Sequence, residues 1–173
     1  MSEVSRRHKA EAPSRLGFAI IIVSTSRFEA LKLMKHVDDP SGDLIVELLE
    51  KAGHKIVYKV LIPDNKRLIE QKMSEALAHS EVDTVITCGG TGVSLSDVTI
   101  ETATPFLKKT LPGFGELFRR LSYNEIGSSA LLSRALAGVA DKGKVIFCIP
   151  GSPQAVRLCL ESLILPEVGH ILK

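Results

Sequence analysis

Residues 84–92, TVITCGGTG, decide how this chain folds. Residues 84–88 form a short run that is β-branched or apolar at every position, which is typical of a strand buried on both faces of a parallel sheet. Glycines follow directly at Gly89, Gly90 and Gly92, with Thr91 between them. Glycine lets backbone N–H groups approach an anion closely, so the stretch predicts a strand that ends in a phosphate-binding loop. A simple tight turn is the alternative interpretation of the glycines.

Three similar apolar runs lie on either side of this strand, at residues 18–23, 56–62 and 144–149. Between these runs, apolar residues recur at the spacing of a helix. Ser41 is expected to precede a helix over residues 42–53, and a second helix is expected over residues 65–78. Strands that alternate with helices predict an α/β fold: a three-layer, doubly wound, mostly parallel sheet in a single domain. In such folds, ligands bind outside the carboxyl ends of the strands.

The second half of the chain gives weaker signals. Its pattern predicts one helix over residues 99–109. It also predicts a last helix over about residues 154–163, which Pro166 interrupts. The stretch between residues 112 and 138 is less regular and yields no assignment.

Composition and charge restrict the possible functions. The 173 residues include 22 Lys and Arg against 20 Asp and Glu, and a net charge of +2 is too small to favour nucleic-acid binding. No apolar stretch approaches the roughly 18 residues of a membrane span. Three cysteines without metal-ligand or paired spacing suit a reducing compartment, so a cytoplasmic protein is expected. Residues 1–15 are basic and polar and predict a flexible tail, which leaves residues 16–173 as the domain.

Two acids are expected beside the glycine loop. Asp64 follows the end of a predicted strand, and Asp97 precedes the helix expected at Thr99. Two carboxylates that face a phosphate-binding loop suit Mg²⁺, which takes one or two carboxylates together with phosphate oxygens and water. The alternative for Asp64 is the N-cap of the following helix, and the alternative for Asp97 or Thr99 is capping of their own helix.

A third loop, PGSP at residues 150–153, also follows a buried strand. The N–H groups of Gly151 and Ser152 and the Ser152 hydroxyl could bind a phosphate or a polar heterocycle. An ordinary turn between a strand and a helix is the alternative. What favours a site is convergence, because three loops distant in sequence are expected at one edge of the sheet.

At these loops the sequence resembles the MoaB/MogA family of molybdenum cofactor biosynthesis proteins, with the MoaB branch closest. The matching motifs occur in the family's order over nearly the whole chain. They are residues 39–42 (DPSG), 63–64 (PD), 89–92 (GGTG), 97–99 (DVT) with Glu101, 112–119 (PGFGELFR), 125–127 (EIG), 133–135 (SRA) and 150–153 (PGSP).

The resemblance implies a molybdopterin-binding fold and a molybdopterin adenylyltransferase. In that reaction, the terminal phosphate of dithiolene-bearing molybdopterin attacks the α-phosphate of ATP with Mg²⁺, giving adenylyl-molybdopterin and pyrophosphate. It implies that Asp64 and Asp97 are the catalytic and metal-binding acids. Substrate and nucleotide binding are implied for Ser24, Ser41, Gly42, Gly89, Gly90, Thr91, Gly92, Gly151 and Ser152. A molybdopterin-binding protein without catalysis is the alternative.

The resemblance also implies a homotrimer or homohexamer. Phe114, Leu117 and Phe118 form an apolar cluster that is a candidate interface. Residues 24–37 depart from the family's usual polar loop by being longer and more apolar, and packing on a neighbouring subunit would explain them.

Overall fold

The structure is a computed structural model that describes residues 15–173, so the tail expected at residues 1–15 lies, apart from Arg15, outside the described residues. Within the described residues, six strands form one sheet in the order β2-β1-β3-β6-β5-β4. They are β1 (Gly17–Val23), β2 (Lys55–Ile62), β3 (Thr84–Cys88), β4 (Leu107–Thr110), β5 (Leu136–Ala140) and β6 (Val145–Ile149). The pairs β1–β2, β1–β3 and β3–β6 are parallel, whereas β5 is antiparallel to both of its neighbours.

Helices connect these strands. They are α1 (Thr25–Lys32), α2 (Pro40–Lys51), α3 (Lys66–Ala78), α4 (Thr99–Ala103), α5 (Pro112–Ile126), α6 (Pro153–Cys159) and α7 (Leu165–Ile171), and a π-helical turn at Leu160–Ile164 joins α6 to α7. Short 3₁₀ turns cover Thr104–Phe106, Gly127–Leu132 and Asp141–Gly143. Among the described residues, no helix is long and apolar enough to cross a membrane.

The core has two halves, one on each face of the sheet. Strand β1 is fully buried and contributes alternate side chains to both: Phe18, Ile20 and Ile22 to one, Ala19, Ile21 and Val23 to the other. Helices α2, α5, α6 and α7 cover the first face, and α3 and α4 cover the second. The predicted three-layer α/β fold is therefore confirmed.

The four strands predicted from apolar runs are present to within one residue. The helix expected over residues 99–109 is wrong in its second half, because α4 ends at Ala103 and the chain continues as β4. Strand β4 pairs with β5, in which Gly138 faces Thr110. Its pairing partner lies far along the chain, so the local pattern carries no signal for it.

The predicted interruption at Pro166 is also wrong. Helical backbone continues from Pro153 to Ile171. The π-helical turn lies just before the proline, and Pro166 lies in the first turn of α7. Helix α2 begins earlier than predicted, since its N-cap is Asp39 and Ser41 lies inside its first turn.

Candidate functional site

A cavity of about 280 Å³ opens at the carboxyl ends of β3 and β6. It is lined by Gly89, Gly90, Thr91, Gly92, Asp97, Leu132, Ser133, Arg134, Pro150 and Gly151. The Gly89 N–H donates to the Ile149 carbonyl at 3.0 Å, which joins the loop after β3 to the end of β6. Two of the three loops expected to converge therefore form the walls of one cavity.

The glycine loop has a conformation that other residues would not adopt. Gly89 has φ +104° and Gly90 has φ +61°. A Cβ atom on Gly89 would overlap the Val23 carbonyl oxygen. A Cβ atom on Gly90 would overlap the Thr99 hydroxyl and would lie 2.5 Å from Asp64 Oδ1. The backbone therefore passes very close to β1 on one side and to Asp64 on the other, which only glycine permits.

Asp64 packs against this loop at Gly90. Its N–H donates to Thr25 Oγ1 at 3.0 Å, and the N-cap of α3 is Asn65, whose Oδ1 accepts from the Leu68 N–H at 3.1 Å. The capping interpretation of Asp64 is therefore wrong. Asp64 Oδ1 is buried and has no hydrogen-bond partner among the described residues. Burial raises the pKa of this carboxyl group above its usual value. A hydrogen bond from the Val98 backbone lowers the pKa by less than burial raises it, and the charge of Asp97 raises it further.

Asp97 lies on the cavity side of the loop. Its Oδ2 accepts from the Ser94 N–H at 2.9 Å and lies 2.7 Å from the place a Cβ atom on Gly92 would take. Helix α4 begins after Val98 without a side-chain cap, so neither Asp97 nor Thr99 caps it. The carboxylate of Asp97 can thus face a ligand in the cavity that it lines.

The residues present fit a magnesium ion that a substrate helps to hold. Asp64 Oδ1 and the hydroxyl of Thr99 are both buried and unpartnered among the described residues, and both adjoin Gly90. No cluster of three or more His, Cys, Asp or Glu side chains that could hold a metal occurs within the described part of the chain. Two carboxylates, with phosphate oxygens and water completing the shell, is an arrangement typical of Mg²⁺ rather than of Zn²⁺.

Four of the predicted binding residues make contacts within the protein itself. Ser41 is fully buried and its Oγ donates to the Gly151 carbonyl at 2.6 Å. The Gly42 N–H donates to Asp39 Oδ1 at 3.0 Å. Ser24 and Ser152 are the N-caps of α1 and α6. Ser41 thereby fixes the loop after β6, while Ser152 borders a second, smaller cavity that shares Ser133 and Pro150 with the first.

Residue-level reasoning missed Arg134, although the motif at residues 133–135 contains it. Its Nε donates to the Thr91 carbonyl at 3.0 Å, and its Nη1 and Nη2 form a bidentate ion pair with Glu101. The hydrogen bond from Arg134 holds the pKa of Glu101 below its usual value. Nothing in the local sequence indicates these partners, which lie 43 and 33 residues away along the chain.

Three cysteines are buried and belong to the core. Cys88 lies closest to the cavity, where its Sγ donates to the Pro150 carbonyl at 3.6 Å. Burial raises the pKa of Cys88 and of Cys148 to about 12. Both thiols therefore stay protonated at neutral pH and pack as small apolar side chains.

The predicted interface of Phe114, Leu117 and Phe118 on α5 is wrong for two of its three residues. Phe114 and Phe118 are 8% and 1% exposed, and the Phe114 ring packs 5.3 Å from that of Phe147. Only Leu117 of the three is exposed. The helical period places the two phenylalanines on the face that the sheet buries.

Comparisons with known proteins show which family this chain belongs to. The family described as "probable molybdopterin binding domain" matches residues 19–170. Molybdenum cofactor biosynthesis protein B of Bacillus cereus is 46% identical over 165 residues, which are 95% of this chain and 93% of that protein. The molybdopterin adenylyltransferase of Pyrococcus furiosus is 41% identical over 169 residues, which are 96% of this chain and 95% of that protein.

A solved structure is similar over almost the same length. It is the crystal structure of the tungsten cofactor synthesizing protein MoaB from Pyrococcus furiosus, with a TM-score of 0.83 and 40% identity, covering 93% of this chain and 97% of that one. The resemblance to the MoaB/MogA family is thereby confirmed. Since the family match takes in every strand of the sheet apart from the first two residues of β1, the chain belongs to the probable molybdopterin binding domain family.

Proposed function

We propose that this protein is a molybdopterin adenylyltransferase, which transfers AMP from ATP to molybdopterin and releases pyrophosphate. The observation that carries the proposal is the placement of Asp64 and Asp97 against one glycine loop, at Gly90 and Gly92, with neither acid serving as a helix cap. A relative that is 41% identical over 96% of this chain is named molybdopterin adenylyltransferase. In this proposal, residues 16–173 form the domain that carries the adenylyltransferase activity. The protein acts in the cytoplasm.

For such a transfer the protein has to align the two reacting phosphates and neutralise their negative charge. The attacking phosphate belongs to the substrate, so no side chain of the protein needs to be a nucleophile. The backbone of residues 89–92 lines the cavity where phosphates would lie. Asp64 and Asp97 would hold Mg²⁺, which supplies positive charge to the phosphate oxygens when it is bound. The Ser41 hydroxyl fixes the Gly151 carbonyl and with it the opposite wall.

Purified protein supplied with molybdopterin, ATP and Mg²⁺ tests the proposal. We expect pyrophosphate and adenylyl-molybdopterin in equal amounts, and none without Mg²⁺. Tight binding of molybdopterin without release of pyrophosphate would instead make the protein a binding protein of the same pathway.

The variant Asp97→Asn should remove most of the turnover, because it deletes one of the two charges that would hold the metal. Its fold should be retained, because the amide oxygen of the new side chain can still accept the hydrogen bond that Asp97 Oδ2 accepts from the Ser94 N–H. Pyrophosphate release and thermal unfolding measured on the same preparation check this. Near-normal turnover with a native unfolding curve would remove Asp97 from the mechanism.

A further inference from the structure

Arg134 closes the loop that carries Asp97. This loop leaves the glycine turn at Thr91 and ends at Asp97, immediately before α4. The Arg134 Nε donates to the Thr91 carbonyl at 3.0 Å, and its Nη2 donates to the Asp97 carbonyl at 3.5 Å. One side chain therefore bonds to the backbone at both ends of the loop. Between these ends, Val93 and Leu95 are 65% and 101% exposed, so core packing does not hold the loop in place.

The bond to Thr91 also sets the direction of a neighbouring donor. The Thr91 carbonyl and the Gly92 N–H belong to one planar trans peptide unit and point in opposite directions. With the carbonyl held by Arg134, the Gly92 N–H is fixed on the other side of the chain. Gly92 is also the residue against which the Asp97 carboxylate packs. The orientation of this peptide and the position of the acid are thus set together.

Glu101 holds the guanidinium group in place. Its two carboxylate oxygens accept from Nη1 and Nη2 of Arg134, an arrangement that the planar fork of arginine permits and the ammonium group of lysine does not. The positive charge of Arg134 is therefore compensated within the protein. This arrangement suits a residue that organises the loop better than one that binds a substrate phosphate directly.

We propose that Arg134, held by Glu101, is a positioning residue that fixes Asp97 and the Thr91–Gly92 peptide relative to the rest of the glycine loop. This inference rests on the proposed function for its effect on turnover, whereas its effect on the loop is independent of any reaction. The loss of Arg134 should slow the chemical step more than it weakens substrate binding, because the ligands would remain but their alignment would not.

Two variants and one control test the inference. Arg134→Lys keeps the charge and removes the fork, and Glu101→Gln removes the charge that anchors the guanidinium. Arg157→Lys is the matched control, because Arg157 forms an exposed ion pair with Glu161 at 2.9 Å outside the cavity lining. For each protein, amide hydrogen exchange of residues 91–97 is measured without ligand, together with kcat, KM for ATP and thermal unfolding.

We expect Arg134→Lys to lower kcat by about 10- to 100-fold with a smaller change in KM, and to speed exchange in residues 91–97. Glu101→Gln should act in the same direction, and Arg157→Lys should match the parent protein. Unchanged exchange in both variants at the cavity would overturn the inference, even with a lower kcat, because the arginine would then act on the substrate. Unchanged kcat in an active enzyme would overturn it as well. A parent protein that releases no pyrophosphate would contradict the proposed function alone, and the exchange measurement would still decide the role of Arg134.

Discussion

Gly90 separates two oxygen atoms that make no hydrogen bond within the described residues, Asp64 Oδ1 and Thr99 Oγ1. A methyl group there would push both aside, and the positive φ of Gly90 adds backbone strain to any other residue. We expect Gly90→Ala to lower the free energy of unfolding by about 1–3 kcal/mol and to abolish most adenylylation. Chemical denaturation and pyrophosphate release measure the two effects.

Gly113→Ala provides the control for this substitution. Gly113 lies in the first turn of α5, and apart from its chain neighbours and the backbone of its own helix no described atom lies within 4 Å of the place its Cβ would take. Alanine there should leave activity unchanged and raise stability by about 0.4–1 kcal/mol. Equal stability and activity in the two alanine variants would contradict the tight packing around Gly90.

Asp64 should lower the stability of the ligand-free protein at neutral pH. Its pKa is raised by burial and by Asp97, so the native state holds this proton more tightly than the unfolded chain does. The stability that protonation brings is present at acid pH and is lost as the pH rises through the native pKa. Without Mg²⁺, Asp64→Asn should therefore raise the melting temperature at pH 7.

The gain should shrink as the pH is lowered toward about 4, near the pKa of an aspartate in an unfolded chain. Melting curves of the parent and Asp64→Asn across that range measure it. Asp141→Asn is the control, since Asp141 is exposed in the turn before β6 and should give no gain at any pH. A lower melting temperature for Asp64→Asn at pH 7 would show that the Val98 backbone stabilises the carboxylate more than burial and Asp97 destabilise it.

Sequence reasoning at the residue scale correctly places both acids beside the glycine loop but cannot separate a functional role from helix capping. Capping depends on which side chain turns back toward a backbone N–H, and Asn65, one position further on, does this in place of Asp64. Arg134 is beyond local reasoning, because its partners Thr91 and Glu101 come from distant parts of the chain. The identity of a residue does not reveal a contact that only folding creates.

The parallel strands β1, β3 and β6 have the candidate site at their carboxyl ends and a set of structural hydrogen bonds at their amino ends. At the amino ends, Asp83 joins β1, β3 and β6: its Oδ2 accepts from the Gly17 N–H at 2.7 Å, its own N–H donates to the Gly17 carbonyl, and its carbonyl accepts from the Val145 N–H. Asp83→Ala should cost about 1–3 kcal/mol of stability, because the Gly17 N–H loses its partner. Its kcat should remain that of the parent at temperatures where both are folded.

Denaturant unfolding and steady-state kinetics on the same Asp83→Ala preparation separate these effects. Reduced turnover with an unchanged unfolding curve would contradict a purely structural role for the amino ends of the strands.

Elements whose side chains face the core could be predicted, and elements held by distant backbone could not. Strands β1, β3 and β6 are fully buried, so continuous apolarity marks them. Strand β4 has three exposed residues among its four, and it is a strand because β5 pairs with it. The π-helical turn at Leu160–Ile164 is a matter of hydrogen-bond register, which residue type does not determine.

At the scale of the whole molecule, the chain exposes large apolar side chains that a partner could cover. Among residues 15–173, those at least half exposed are Leu31, Leu33, Met34, Val93, Leu95, Leu117, Tyr123, Leu131 and Leu132. Three of them lie in or directly after α1, which buries none of its own residues within the chain. Since contiguous exposed apolar surface is typical of interfaces, we expect assembly through such residues rather than through the buried Phe114 and Phe118.

Light scattering coupled to size-exclusion chromatography checks this expectation. The mass should be that of three or six chains of 18.8 kDa each. Met34→Glu, which places a charge on a side chain that is 96% exposed, should shift the mass toward single chains if α1 contributes to the interface. A monomer at every concentration would contradict the proposed trimer or hexamer.

The protonated state of Cys88 bears on the kind of substrate this cavity can handle. A molybdopterin substrate would bring a pair of reduced sulfur atoms, and a neighbouring thiolate would join one of them in a disulfide if an oxidant such as dioxygen removed the two electrons. Cys88, which adjoins the cavity through the Pro150 carbonyl, is buried, and its pKa is about 12. Because the Cys88 thiol is buried and protonated, it would not form such a disulfide, and a sulfur-bearing ligand would leave the cavity without being trapped.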